Sequence, residues 1–294
     1  MRTHRRRVWL AKISRIDRHP EQLSLIHQEF EPDLLDVLEP SHRHIFYGRE
    51  WRLSQPHADE RSRSLFGKLG FARGTRAEQV DYIEAEHDWV TVDTPAKAGN
   101  YSHFVVDLDT QIVAFEERGV DLSKTSFVNA LGLFLADGGY EVNLLSDAAD
   151  FDVWLRDMDR VTRFYVTLKA PNPRWSRRAR ETRRLAEEIA AERLSIEATS
   201  DSHLNVRDTL LQGAADTAAM GNGEFRATGV KDGGRRYFDS RKRFVSGDIE
   251  VPDQASSGAI LAEIRELLHT LQAALPGGHS DESEHTGDGA GEQA

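Results

Sequence analysis

The sequence predicts an α+β protein, with mixed and antiparallel sheets and helices packed on them, in two domains. Three observations predict it. Runs of β-branched and aromatic residues alternate with polar ones, the period of strands buried on one face. Between them lie segments with apolar residues three and four apart, opened by Ser, Thr or Pro and closed by Gly or Pro, the marks of helices. Strand-like and helix-like segments follow one another without a fixed period, which excludes a repeat architecture.

RVWLAKISRI (7–16) alternates apolar and polar residues and reads as the first strand. His19-Pro20 then opens a helix in which Leu23, Ile26 and Phe30 share a face, closed at Pro40. His44–Leu53 and Leu65–Ala72 read as further strands joined by the polar loop SQPHADERSRS, and residues 80–92 continue the β-rich pattern. In SHFVVDLDTQIVAFEER (102–118), Val105, Val106, Ile112, Val113 and Phe115 favour burial while Asp109 and Thr110 favour a turn, so a β-hairpin is expected. Ser123 or Thr125 caps the next helix, whose Phe127, Leu131, Phe134 and Leu135 share a face, and Gly138-Gly139 stops it before the strand YEVNLLS.

Beyond Asp150 the pattern reads as a strand at Arg160–Lys169, a helix at Arg174–Arg193, a strand at Leu194–Ala198, a helix at Val206–Met220, a hairpin at Glu224–Val251 and a helix at Ser257–Leu275. The aspartate-rich stretch SDAADFDVWLRDMD divides the chain. Residues 1–150 form a β-rich α+β domain, and residues 151–275 a second α+β domain carrying a basic helix and a basic hairpin. Residues 276–294 hold five acids, no Lys or Arg and nothing apolar larger than alanine, the composition of a disordered acidic tail.

Charge is distributed unevenly. The net formal charge is -11, yet residues 174–184 carry six arginines against one glutamate, and residues 226–243 carry seven Lys or Arg against two Asp. As a helix, the first cluster turns Trp175, Ala179, Ala186 and Ile189 to one side and Arg177, Arg180 and Arg184 to the other, with Pro173 suited to its first turn. Arginines there oppose the helix macrodipole, so an anionic partner is the natural reason for them; an ordinary solvated face, balanced by Glu181, Glu187, Glu188 and Glu192, is the alternative. The second cluster lies on a hairpin that turns at Asp232-Gly233-Gly234, a ribbon able to track a phosphate backbone. Charges that guard a sheet edge against aggregation are the competing explanation. The expected nucleic-acid contacts are Arg174, Arg177, Arg180, Arg184, Arg235, Arg236, Arg241, Lys242 and Arg243, with duplex DNA, bound without sequence preference, as the partner.

Catalytic signatures are missing, so a binding protein is read in preference to an enzyme, with no cofactor and no metal. Cysteine is absent, which excludes disulfides and thiolate chemistry. The glycines of GNGEF lack the Lys-Ser or Lys-Thr of a phosphate loop. His42 with His44, Asp107 with Asp109, and Asp157 with Asp159 are spaced to converge on an ion from one strand face. A metal-dependent nuclease built on Asp107 and Asp109 is therefore the rival reading, and a protein-interaction module docking on an acidic partner a third. The nuclease reading is weakened at Lys169, where Thr167 stands in place of the acid that many nuclease folds carry two residues earlier. No apolar stretch is long enough for a membrane span and no signal peptide is recognisable, so a cytoplasmic location is expected.

A resemblance adds to this. The order of features over residues 102–246, a hairpin, a helix, a strand, then an apolar strand leading through Pro171-Asn172-Pro173 into a charged helix, resembles the phage-exclusion sensors of the RexA type and related two-domain phage-defence proteins. It implies a homodimer that binds duplex DNA while an effector protein partner produces the cellular response.

Overall fold

The computed structural model describes residues 3–15, 34–38, 42–73, 81–83, 85, 87–90, 98–169, 184, 188, 191 and 193–275. The fold is α+β, built on two antiparallel sheets.

The first sheet is organised by β1 (Thr3–Arg15). One edge of β1 pairs with β8 (Ile112–Glu116); the other is shared, its first half by β14 (Ser246–Pro252) and its second by β9 (Tyr140–Leu144). Beyond β8 the order continues through β7 (Ala98–Asp107), β4 (Ser64–Arg73), β3 (Arg49–Asp59) and β2 (Arg43–Phe46). Residues Leu10 to Ser14 are all buried because both faces of β1 are covered. On one face, α1 (Lys124–Ala136) sets Phe127, Leu131 and Phe134 against Ala11, Ile13, Phe104 and Phe115. Ser123 caps this helix by accepting from the Ser126 N–H, as its sequence suggests. On the other face, α4 (Ser257–Ala273) sets Ile260, Ile264 and Leu268, spaced by four, on Val8, Leu10, Val105 and Ala114. A two-stranded ribbon of β5 (Asp81–Ile83) and β6 (Asp88–Val90) lies beside β3.

The second sheet runs β11–β10–β12–β13, from Arg193–Thr199, Arg160–Lys169, Gly223–Lys231 and Gly234–Asp239. One face is packed: Phe164, Phe225 and Phe238 lie under Phe151 of α2 (Ala148–Asp157) and against the alanines of α3 (Leu210–Thr217) and the π-turn that follows it. Phe151 meets Phe225 edge-on at 4.8 Å and 68°.

Several expectations are corrected. His44–Leu53 is two strands, since Tyr47 and Gly48 both take positive φ and form a two-residue hairpin turn. Much of the expected polar loop after Leu53 is the continuation of β3, bulged between Ser54 and His57 where its partner is β4. The expected hairpin over 224–251 closes earlier: β12 and β13 turn at Asp232 and Gly233, and β14 leaves for the first sheet. The division near residue 150 therefore marks the crossing into the second sheet, while the return at Arg243–Val245 gives β14 and α4 back to the first. The two crossings are hydrogen-bonded together, Asp147 N to Arg243 O at 2.8 Å and Val245 N to Leu145 O at 2.9 Å. Residues 206–209, the beginning of another expected helix, precede α3 without helical structure. The helix expected after His19-Pro20 lies outside the described residues except at 34–38, and the acidic tail lies outside them altogether.

Candidate nucleic-acid interface

In the second sheet, alternation decides which side chains are seen. VTRFYVTLK buries Phe164, Val166 and Leu168 and turns Arg163, Tyr165, Thr167 and Lys169 to the other face; RLSIEAT does the same with Arg193, Ser195 and Glu197. Among the described residues no helix of the second core covers that face, because α2 and α3 both pack on the aromatic side. Among the described residues the result is an open face of four antiparallel strands, polar apart from Val230 and the ring of Tyr237, with β13 at its edge.

Most of its charge is internally matched. Arg163 pairs with Glu197 at 2.5 Å, Lys169 with Glu141 at 2.6 Å, and Arg226 with Glu224 at 3.4 Å. Arg241 holds Asp239 at 2.9 Å and Glu224 at 3.6 Å. Its hydrogen bond keeps the Asp239 carboxyl below the ordinary aspartate value, against the contrary effect of partial burial. Arg243 pairs with Asp150 at 3.0 Å, and Lys231 with Asp157.

Of the nine expected nucleic-acid contacts, Arg174, Arg177 and Arg180 lie outside the described residues. Arg184 is helical and exposed. Arg235 and Arg236 are exposed on β13, the former on the open face, and Lys242 is exposed in the short 3-10 turn after it. None of these three forms an ion pair with a described residue, whereas Arg241 and Arg243 are held by carboxylates. Sequence reasoning missed Arg160 and Arg193, both exposed and likewise without a described ion partner. Arg193, expected at the end of a helix, opens β11. Tyr237, which sequence reasoning gave no role, stands 71% exposed on the open face beside Arg235 and opposite Thr228. The signal for all of these was the period-2 alternation itself, which puts Tyr237 out of phase with the buried Phe238.

The proposed metal positions have other work. Asp107 accepts from the Thr110 N–H at 2.7 Å and so shapes the β7–β8 turn, while Asp109 pairs with Arg63 at 3.3 Å. Asp159 accepts from the Asp232 N–H at 2.8 Å. His44 packs edge-on against Phe134 at 4.5 Å, and His42 Nδ1 lies 3.2 Å from the Val37 carbonyl. Among the described residues no group of three or more His, Asp or Glu is arranged to hold a metal ion, and no helix is long and apolar enough to cross a membrane.

The model of one protein family, a domain of unknown function designated DUF4747, matches residues 74–267, well over half of the chain. The chain belongs to the DUF4747 family. The matched stretch runs from the β5–β6 ribbon into α4, so the whole second sheet and every described residue of its open face fall within it, while β1 to β4 lie outside. No curated protein matches the chain.

Proposed function

We propose that the protein binds single-stranded nucleic acid across the open face of the second sheet, with a base stacked on Tyr237, a phosphate held by Arg235 beside it, and the backbone continuing over the β13 edge to Lys242 and to Arg236 on the far side of that strand. The observation that carries this is the exposed Tyr237 ring on the open face next to Arg235, a cation that no described carboxylate neutralises. Stacking of a base on an aromatic ring contributes about 1–3 kcal/mol, and each phosphate neutralised by Arg or Lys releases condensed counterions.

An unpaired strand fits this face better than the duplex expected from the sequence. A base plane reaches a ring on a sheet only when the base is unstacked from its partner. The groove-tracking ribbon of that expectation also relied on Arg241 and Arg243, whose charge is already matched by Asp239, Glu224 and Asp150. Anisotropy of a labelled single strand and of its duplex, titrated at low and moderate salt, tests the reading. Tighter binding of the single strand, weakening with salt and at least tenfold weaker in Tyr237→Ala, is expected; absence of binding to either form overturns it. A part in phage exclusion, as a dimer with an effector partner, extends the proposal from the resemblance in layout. Expression that leaves phage plating unchanged would remove that extension.

A further inference from the structure

At one end of the open face, where β10, β11 and β12 meet β9 of the first sheet, lies a cavity of about 440 Å³. Two glycines hold the walls close. A Cβ on Gly223 would stand 2.0 Å from the Thr167 carbonyl oxygen, and Gly221, at φ +86°, lies where a Cβ would meet that of Lys12 at 2.9 Å.

The cavity is rich in donors. Thr167 Oγ1 donates to Tyr165 Oη at 2.8 Å and lies 3.4 Å from Ser195 Oγ. Because the tyrosine oxygen accepts there, its own O–H is left to point elsewhere. The bonds to Thr167 and Ser195 also draw the Tyr165 hydroxyl below its ordinary pKa. Lys169 Nζ donates to Asn143 Oδ1 at 3.5 Å, which fixes the orientation of the amide, and Asn143 Nδ2 is then buried with no acceptor.

The charges leave one cation over. Lys169 is matched by Glu141, and the single acid on the lining, Glu224, is matched by Arg226 and Arg241. Arg193 alone has no described counter-charge. Donors without acceptors and a cation without an anion are complementary to an acceptor-rich anion, and the volume is that of a small-molecule pocket.

We infer that this cavity binds the phosphomonoester of a nucleotide, through Arg193, Lys169 and the Tyr165 hydroxyl. The nucleoside part of the ligand rests on the proposed nucleic-acid reading, since the cavity opens on the same sheet face. The phosphate comes either from the end of a strand or from a free mononucleotide, and the two sources are separable.

One oligonucleotide sequence is prepared with a 5′-phosphate, with a 3′-phosphate and with hydroxyls at both ends, and each is titrated with the full chain by anisotropy. Adenosine and uridine monophosphates are titrated by calorimetry against their nucleosides. An end-phosphorylated strand binding at least tenfold tighter than the hydroxyl form, with the ratio falling to within twofold of unity in Arg193→Gln and in Tyr165→Phe, supports a strand end; thermal melts of both variants establish that they fold. Binding of monophosphates but not nucleosides, with no oligonucleotide bound, supports the cavity with free nucleotide as its ligand and sinks the sheet-face reading. Equal affinity of all three oligonucleotides together with no heat from monophosphates overturns the inference and leaves the face standing. Retention of the full phosphate ratio in both variants also overturns it.

Discussion

His103 Nδ1 lies 2.7 Å from Glu116 Oε1, and neither side chain has any exposure to solvent. They are cross-strand neighbours on β7 and β8, on the side of the first sheet that α4 covers. Arg6 reaches the other carboxylate oxygen at 2.6 Å, and the His103 backbone N–H donates to Oε1 at 3.2 Å. Burial by itself would raise the Glu116 carboxyl; the His103 hydrogen bond, with the charges of His103, Arg118 and Arg6, outweighs it and holds the group at about 2.

Acid stability should therefore depend on Glu116. Its folded pKa lies below the ordinary glutamate value of 4.5, so its contribution is fully present above that value and is lost as pH falls from there towards about 2. The shift corresponds to stability on the order of 3 kcal/mol. Urea denaturation of the wild type should show the unfolding free energy falling through that window. Glu116→Gln should lose roughly 3–5 kcal/mol at neutral pH, because Arg6 is left without its buried partner, and should flatten the acid dependence. An unchanged acid profile in the variant would assign the dependence to other carboxylates.

The basic residues of the ribbon should separate into two groups. Arg235→Glu with Arg236→Glu should weaken single-strand binding at least tenfold and leave the melting temperature unchanged, since both are exposed and unpaired among the described residues. Arg241→Ala should leave binding within about twofold and cost under ~1 kcal/mol of stability, as an exposed ion-pair partner of Asp239 and Glu224. Equal losses of affinity in the two experiments would contradict this division.

Glycine positions offer a stability contrast. Gly223→Ala places a methyl group against a backbone carbonyl that cannot rotate away, and should cost roughly 3 kcal/mol by chemical denaturation. Gly132 in α1 has open space around its Cβ direction, and Gly132→Ala should stabilise by about 0.5–1 kcal/mol. Similar effects at both positions would mean that the close approach of β12 to β10 is relaxed in solution.

Asp107 provides a test of the rival nuclease reading. As the acceptor for the Thr110 N–H, it should tolerate Asn and lose about 1 kcal/mol of stability on change to Ala. Magnesium-dependent cleavage of nucleic acid by the wild type, abolished in Asp107→Ala, would instead assign the residue a catalytic role.

The elements legible in the sequence were those whose signal is local. Ser123 before an amphipathic run, Leu108 to Gln111 between two apolar runs, and the alternation of VTRFYVTLK each specify structure within a few residues, and each formed close to its expected place. Tyr47-Gly48 was equally local but was hidden inside HIFYGREWRL, a stretch that reads as one continuous strand. For the candidate site, the alternation of RLSIEAT and GRRYFD held the positions of Arg193 and Tyr237, but charge density drew attention to the ribbon as a whole.

What the sequence by itself determined was the α+β class, the identity of the strands and helices with strong local signals, and the clustering of positive charge, because backbone propensity and apolar period act over short distances. Tertiary structure alone decided the rest. Which edge of β1 receives β14, which arginines spend their charge on Asp150, Asp239 or Glu224, and which sheet face stays open all depend on residues tens to hundreds of positions apart. Ion pairing and burial are set by distance in space, and a chain read along its length does not contain that distance until the sheets have formed.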